Sequence, residues 1–198
     1  MLGILLNPVP ALLCAVWVAR ASALPSPRYR WLFLAALLCG ASGDGLLAGG
    51  LFVPGLVAFL VGHVLYAIAF ASEGARPRPA SLAGPLGFAA VVISALWPGL
   101  GPLRVPVLCY VGAIGVMASL AIDLWRRTRD RSALRAAIGA CFFVLSDAFI
   151  AWHKFKSPLG SELVSGLLIY STYWVAQIAL ASSVGQARTD GPATRAQG

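Results

Sequence analysis

The sequence contains few charged residues. Asp, Glu, Lys and Arg make up 11% of the 198 residues, and 59% of the residues are hydrophobic. A soluble domain carries about 25% charged residues, because its surface must be polar. This deficit excludes an ordinary soluble protein and indicates an outer surface that faces lipid.

Histidine is also scarce, and the cysteines are scattered. With only His63 and His153, the chain cannot form a three-histidine zinc site. The four cysteines show no C-x-x-C spacing, so we interpret them as small core residues rather than metal ligands or disulfides. The G-x-S-x-G motif of serine esterases is missing. We therefore expect neither a metal nor another cofactor.

Seven apolar runs fill most of the chain, and Pro and Gly cluster at the breaks between them. A helix needs roughly 20 apolar residues to cross a bilayer. The sequence therefore predicts an all-α, polytopic transmembrane bundle of about seven helices, forming one domain over residues 1–184. Residues 185–198 are polar and are predicted to be a disordered cytoplasmic tail. The runs cover residues 2–19, 31–48, 52–71, 82–97, 105–124, 133–152 and 163–183.

Basic residues are distributed unevenly between the two ends of the predicted bundle. The formal charge is +8, but these residues lie in short loops between apolar runs, so they indicate topology rather than a nucleic-acid partner. One end receives Arg104, Lys154 and Lys156, and the other end receives the remaining 12 of the 15 Lys and Arg. The positive-inside rule then places the N-terminus outside and the C-terminus in the cytoplasm.

Two segments that contain Asp resemble each other. Residues 43–48 end the second run and residues 146–151 lie near the end of the sixth, and both follow the pattern small–Asp–small–apolar–apolar–Ala. This similarity predicts a parallel repeat of three helices, one linker helix and three helices, with a site near the interface of the repeats. Chance similarity in so apolar a chain is the alternative.

Few ionisable side chains lie inside the apolar runs, where each costs on the order of 2.5–3.5 kcal/mol. Helical spacing places further polar side chains on the same faces, which must point into the bundle. Some of the His and Tyr side chains could instead be packing residues. The candidates are Asp44, Asp147 and His63 for catalysis, and Tyr66, Lys154, Tyr170, Tyr173 and Gln177 for substrate binding.

Two carboxyl groups in one low-dielectric site favour acid–base chemistry. One carboxyl tends to stay protonated beside a like-charged neighbour. The other can stay ionised, especially near Lys154 or His63. Such a pair supplies an acid and a base, as in glycoside hydrolases.

Several short segments match those of a known family in order and spacing. On these segments the chain resembles the YhhN family, whose animal members are the lysoplasmalogenases, over about residues 5–183. Family members commonly have eight helices, one more than this chain, and carry a Lys where this chain has Asn7. The matching segments include residues 43–44, 52–55, 63–66, 143–147, 151–152, 154–155, 172–173 and 176–177.

The resemblance implies a membrane hydrolase that cleaves the vinyl ether bond of lysoplasmalogens. The products would be a fatty aldehyde and a glycerophospho-ethanolamine or -choline. Such a protein would lie in the inner membrane of a bacterium or the endoplasmic reticulum of a eukaryote. Its other expected partners are membrane lipids, and the oligomeric state stays open.

The resemblance also suggests roles for the candidate residues. Asp44 and Asp147 would be the acid and the base, in either order. His63 and Tyr66 would orient one carboxylate or the attacking water. The expected contacts with the substrate are Tyr173 and Gln177 on its oxygens and Lys154 on its phosphate, and Tyr170 and Asn7 are further candidates for substrate binding.

Three other functions stay open. A three-plus-one-plus-three repeat is also the plan of small sugar transporters of the SWEET type, although the Pro-Gln pair of those proteins is missing. Gly43-Asp44 loosely resembles the G-x-G-D motif of intramembrane aspartyl proteases, but position 41 is Ala. A lipid-binding homologue without catalysis is the third alternative.

Overall fold

A computed structural model of the chain describes residues 8–21 and 26–184, and helices make up most of these residues. No strand occurs within these two ranges, so the prediction of an all-α protein is confirmed. Two short 3-10 turns, Trp97–Gly99 and Gly101–Leu103, connect the fourth and fifth helices. The helices are α1 (Val9–Arg20), α2 (Pro27–Ala48), α3 (Phe52–Ser72), α4 (Pro79–Leu96), α5 (Arg104–Thr128), α6 (Arg131–Phe155) and α7 (Glu162–Val184).

The helices begin and end at residues with recognisable capping chemistry. The Ser26 hydroxyl accepts a hydrogen bond from the Tyr29 amide at 3.2 Å, and Pro27 occupies the first helical position of α2. Gly50, with φ of +79°, ends the helical conformation between α2 and α3. These caps extend α2 four residues before its predicted apolar run, since polar residues can form the first turn.

Six of the helices, α2 to α7, are long and apolar enough to cross a membrane. The described part of α1 has 12 residues, a length of roughly 18 Å, whereas the hydrocarbon core is about 30 Å thick. The chain is thus a multi-pass integral membrane protein. Asn7 and the tail at 185–198 lie outside the described residues.

The helices of the first half pair as those of the second half do. Helix α1 packs on α2 as α5 packs on α6, α2 packs on α3 as α6 packs on α7, and α3 contacts α5 as α7 contacts α1. Helix α4 lies against α5 and α6. These pairings are the ones that a parallel repeat with α4 as its linker requires, and the repeat itself stays a prediction.

Small residues bring the paired helices close together. A Cβ atom on Gly139 of α6 would lie 2.8 Å from Leu180 and 2.9 Å from the Ala176 carbonyl oxygen of α7. A Cβ atom on Gly43 of α2 would lie 2.6 Å from the Phe59 ring of α3. Transmembrane helices associate through such close packing, which here fixes the positions of the polar side chains between them.

Candidate active site

Asp147 is held by side chains from two other helices. The Tyr110 hydroxyl of α5 donates a hydrogen bond to Asp147 Oδ2 at 2.5 Å. His63 Nε2 of α3 lies 2.9 Å from that hydroxyl and 3.3 Å from the same Oδ2. The His63 side chain is 1% exposed and that of Asp147 is 14% exposed. We call Asp147, Tyr110 and His63 the Asp147 centre.

Asp44 belongs to a second group of hydrogen-bonded side chains. The Tyr173 hydroxyl of α7 donates to Asp44 Oδ2 at 2.5 Å, and Gln177 Nε2 donates to the Tyr173 hydroxyl oxygen at 2.7 Å. All three residues are buried. The donors form a chain that ends on the carboxyl group, and we call these three residues the Asp44 centre.

Phe143 lies between the two centres. Its ring centroid is 5.2 Å from that of His63 and 5.6 Å from that of Tyr173, with edge-to-face geometry in both pairs. The two centres therefore contact the same aromatic ring inside the bundle.

An apolar cleft opens onto the Asp147 centre. Its empty space of about 830 Å³, which includes space open to the surroundings, lies between α3, α4, α5 and α6, and Leu47 of α2 is also in the lining. Asp147 and Tyr110 supply polar groups to a lining that is otherwise apolar, such as Pro85 and Val111. The cleft therefore brings a carboxyl group into an otherwise apolar lining.

Phe59 separates the Asp44 centre from this cleft. Its ring lines the cleft and meets the Tyr173 ring edge-to-face at 6.3 Å. It also covers Gly43, the residue before Asp44. The two carboxyl groups thus differ in access, since Asp147 lines the cleft and Asp44 does not.

The contacts of Asp147 with Tyr110 and His63 share one carboxyl oxygen. Both are made to Oδ2, and the Asp147 residue also lines the cleft. Hydrogen-bond donors that point at a carboxyl group hold it in one orientation and stabilise its ionised form.

The structure brings together five of the candidate residues, in two groups: Asp147 with His63, and Asp44 with Tyr173 and Gln177. Tyr66 is not brought to either carboxyl group. It is 2% exposed, packs edge-to-face on Phe33 at 4.9 Å, and its hydroxyl has no hydrogen-bond partner in the described part of the chain.

The two remaining candidates, Tyr170 and Lys154, are exposed. Tyr170 is 47% exposed, although Tyr173 on the same helical face is buried. Lys154 is exposed near the cleft, with its Nζ 5.0 Å from the centroid of the Phe52 ring. Within residues 8–21 and 26–184, no three His, Cys, Asp or Glu side chains are placed to hold a metal ion.

Tyr110 is the site residue that sequence reasoning missed. A single Tyr in an apolar run carries little periodic signal. The position of Tyr110 along its helix could have indicated its role. Tyr110 lies six residues after the start of α5, and Asp147 lies eight residues before the end of α6. Those two helix ends lie on the same side of the bundle.

Comparison with known proteins identifies the family. The profile of the YhhN family matches residues 2–184. The chain belongs to the YhhN family. No solved structure gives a significant match.

Curated relatives in the YhhN family carry an enzyme name. Human "Lysoplasmalogenase TMEM86B" is 34% identical over 179 residues, which cover 89% of this chain and 71% of the relative. Human "Lysoplasmalogenase TMEM86A" is 36% identical, covering 77% of this chain and 64% of the relative. A "Lysoplasmalogenase" of Mycobacterium tuberculosis is 32% identical, covering 85% and 66%. The chain thus spans about two thirds of the length of these relatives.

Proposed function

We propose that this protein is a lysoplasmalogenase, which hydrolyses the vinyl ether bond of lysoplasmalogens to a fatty aldehyde and a glycerophospho-ethanolamine or -choline. Relatives with that name cover most of the chain. The observation that carries the proposal is the placement of Asp147, a hydrogen-bonded carboxyl group that lines an apolar cleft. A single-chain ether lipid has an apolar tail and an acid-labile bond. The apolar lining of the cleft suits the tail, and the carboxyl group of Asp147 suits the bond.

The alkenyl chain lies in the cleft, with the double bond beside Asp147. Asp147 gives its proton to the alkenyl carbon that is not bonded to oxygen, and the other alkenyl carbon becomes an oxocarbenium ion. Water adds to that carbon and loses a proton, which forms a hemiacetal. The hemiacetal collapses to the aldehyde and the free hydroxyl of the glycerol. One water is consumed, and the acid is regenerated when the carboxylate takes a proton back.

Tyr110 and His63 hold Asp147 through this reaction. Their hydrogen bonds to Oδ2 keep the carboxyl group fixed and stabilise the carboxylate that forms when the proton leaves. The proton transfer to carbon is the slow step of vinyl ether hydrolysis, so a preorganised carboxylate lowers its barrier. In this proposal Tyr110 is a catalytic residue that the substrate also meets, because it lines the cleft.

Asp44 acts on the reaction without touching the substrate. Its carboxyl group lies behind Phe59 and accepts a hydrogen bond from the Tyr173 hydroxyl. A negative charge in a low-dielectric interior stabilises a nearby cation such as the oxocarbenium ion. Tyr173 and Gln177, which we expected on substrate oxygens, position Asp44 in this account.

The orientation of the chain follows from the distribution of basic residues. We place the N-terminus outside and the C-terminus in the cytoplasm, in the inner membrane of a bacterium or in the endoplasmic reticulum of a eukaryote. The cleft then lies in the outer half of the bilayer. Lysophospholipids partition into the membrane, so the substrate reaches the cleft from the lipid phase.

The test measures aldehyde release from a purified lysoplasmalogen by protein in detergent. We expect release by the wild type and its loss in Asp147→Asn. Asp123→Asn is the matched control, because Asp123 is also a buried carboxylate but pairs with Arg78 at 3.4 Å and the Arg76 amide at 3.0 Å, at the other end of α5. Full activity in Asp147→Asn would overturn the assignment.

A well-folded wild type that releases no aldehyde would overturn the enzymatic proposal. The same preparation, reconstituted into proteoliposomes, then tests the alternative of transport. Uptake of a solute or lipid without product formation would favour a transporter with the three-plus-one-plus-three plan.

A further inference from the structure

Three basic side chains at one end of the bundle lie over aromatic rings. The Arg104 guanidinium carbon is 4.8 Å from the Trp97 ring centroid, Lys154 Nζ is 5.0 Å from that of Phe52, and Lys156 Nζ is 4.2 Å from that of Trp152. All three basic side chains are exposed. The chain has no other Lys or Arg in the loops predicted on this side.

One of these rings, Phe52, lines the apolar cleft together with Phe155, which it meets edge-to-face at 5.8 Å. The turn that carries Trp97 packs against the end of α6, since a Cβ atom on Gly99 would collide with the Phe155 carbonyl oxygen. Trp152 and Phe155 pack on the same apolar cluster as the residues that flank Trp97 and Arg104. We call Arg104, Lys154 and Lys156 the cationic rim.

The positive charge of this rim is not balanced by ion pairs. Among the described residues, none of the three basic side chains lies within 4.0 Å of a carboxylate. The nearby acidic residue, Glu162, faces His153 at 3.6 Å. Lys and Arg are disfavoured on the outer side of a membrane protein. In the orientation proposed above, these three exposed cations are therefore an unusual feature that an anionic ligand would explain.

The distance from the rim to Asp147 matches a lysophospholipid. Lys154 lies seven residues after Asp147 on α6, an axial separation of roughly 10 Å. In a lysoplasmalogen about seven bonds join the protonated carbon to the phosphorus atom, a length of roughly 8–9 Å at the spacing of an extended chain. A phosphate at the rim therefore places the reacting carbon beside the Asp147 centre.

We propose that the cationic rim binds the phosphodiester group of the substrate and so selects phosphate-bearing ether lipids over neutral alkenylglycerols. The inference rests on the proposed function for its choice of substrate. Arg and Lys bind phosphate through charge-assisted hydrogen bonds, and the aromatic rings hold their side chains at the mouth of the cleft.

The test compares two substrates with the same alkenyl chain, one a lysoplasmenyl-ethanolamine and one the corresponding 1-alkenylglycerol. We expect wild-type kcat/KM to be at least about tenfold higher for the phospholipid. In the triple variant Arg104→Gln/Lys154→Gln/Lys156→Gln this preference should fall to near unity, mainly through KM. Lys154→Arg in the wild-type background should keep it. Arg131→Gln, an exposed cation at the opposite end of α6, should also keep it.

The outcomes separate this inference from the proposed function. Equal cleavage of both substrates by the wild type, or an unchanged preference in the triple variant, would overturn the rim and leave the hydrolase intact. If the wild type cleaves neither substrate, the rim is tested by measuring how tightly the wild type and the triple variant bind the non-hydrolysable alkyl-ether lysophospholipid. Binding at least tenfold weaker in the triple variant supports the rim, and equal binding overturns it. Inorganic phosphate that competes as well as the lipid would show a site for free anions and overturn the lipid assignment.

Discussion

The two carboxyl centres resemble each other in construction and differ in access. Asp44 on α2 meets Tyr173 of α7, and Asp147 on α6 meets His63 of α3, so each Asp pairs with a helix of the other half. Asp147 also accepts from Tyr110 and lines the cleft, whereas Asp44 lies behind Phe59. Access to the cleft, rather than chemical type, distinguishes the carboxyl that meets the substrate from the one that supports it.

The largest effect should come from the Asp147 centre, which lines the cleft. We expect Asp147→Asn to lower kcat by about 10²- to 10⁴-fold, because an amide cannot donate the proton that general acid catalysis requires. The measurement is aldehyde release at saturating substrate. Asp147→Glu should restore part of the rate, and an inactive Asp147→Glu with an active Asp147→Asn would contradict the role of the acid.

Substitutions at the Asp44 centre should lower kcat less than substitutions at the Asp147 centre do. We expect Asp44→Asn to lower kcat by about 10- to 100-fold with KM nearly unchanged, since one charge in the interior stabilises the transition state without touching the substrate. Steady-state kinetics of Asp44→Asn and Asp147→Asn test this expectation. A larger loss for Asp44→Asn than for Asp147→Asn would reverse the assignment of the two carboxyl groups.

The tyrosines of the two centres provide a matched pair of conservative changes. Tyr110→Phe removes a hydroxyl that touches Asp147, so we expect kcat to fall by about tenfold or more, the cost of a hydrogen bond to a charged group. Tyr173→Phe removes the corresponding bond to Asp44, and we expect a smaller fall. Equal losses in the two variants would mean that access to the cleft does not distinguish the centres.

The smallest effect concerns the position of Phe59. A Cβ atom on Gly43 would displace the Phe59 ring, so Gly43→Ala should destabilise the protein by about 1–3 kcal/mol. Thermal unfolding in detergent measures this effect. Gly45→Ala is the control, since nothing lies within 4 Å of its Cβ position, and we expect a change within about 0.5 kcal/mol. Equal unfolding temperatures for both variants would show that Phe59 is not tightly packed.

The sequence predicts the helices well because bilayer thickness and Pro–Gly breaks determine them. Asp44, Asp147 and His63 stand out for a similar reason, since ionisable groups in apolar runs are costly. Which tyrosine reaches which carboxyl group depends on the rotation and pairing of helices, and periodicity within one helix does not give these. Tyr66 shares a helical face with His63, yet the partner of Asp147 is Tyr110 on another helix.

The most direct test of the central claim is to run the reaction in deuterated water and trap the aldehyde at once by reduction. Protonation of the alkenyl carbon by Asp147 predicts one deuterium on the carbon next to the former aldehyde carbon, a slower rate than in ordinary water, and no product from Asp147→Asn. Asp123→Asn should label the product as the wild type does. Aldehyde without deuterium at that carbon, or labelled aldehyde from Asp147→Asn at the wild-type rate, would contradict the account.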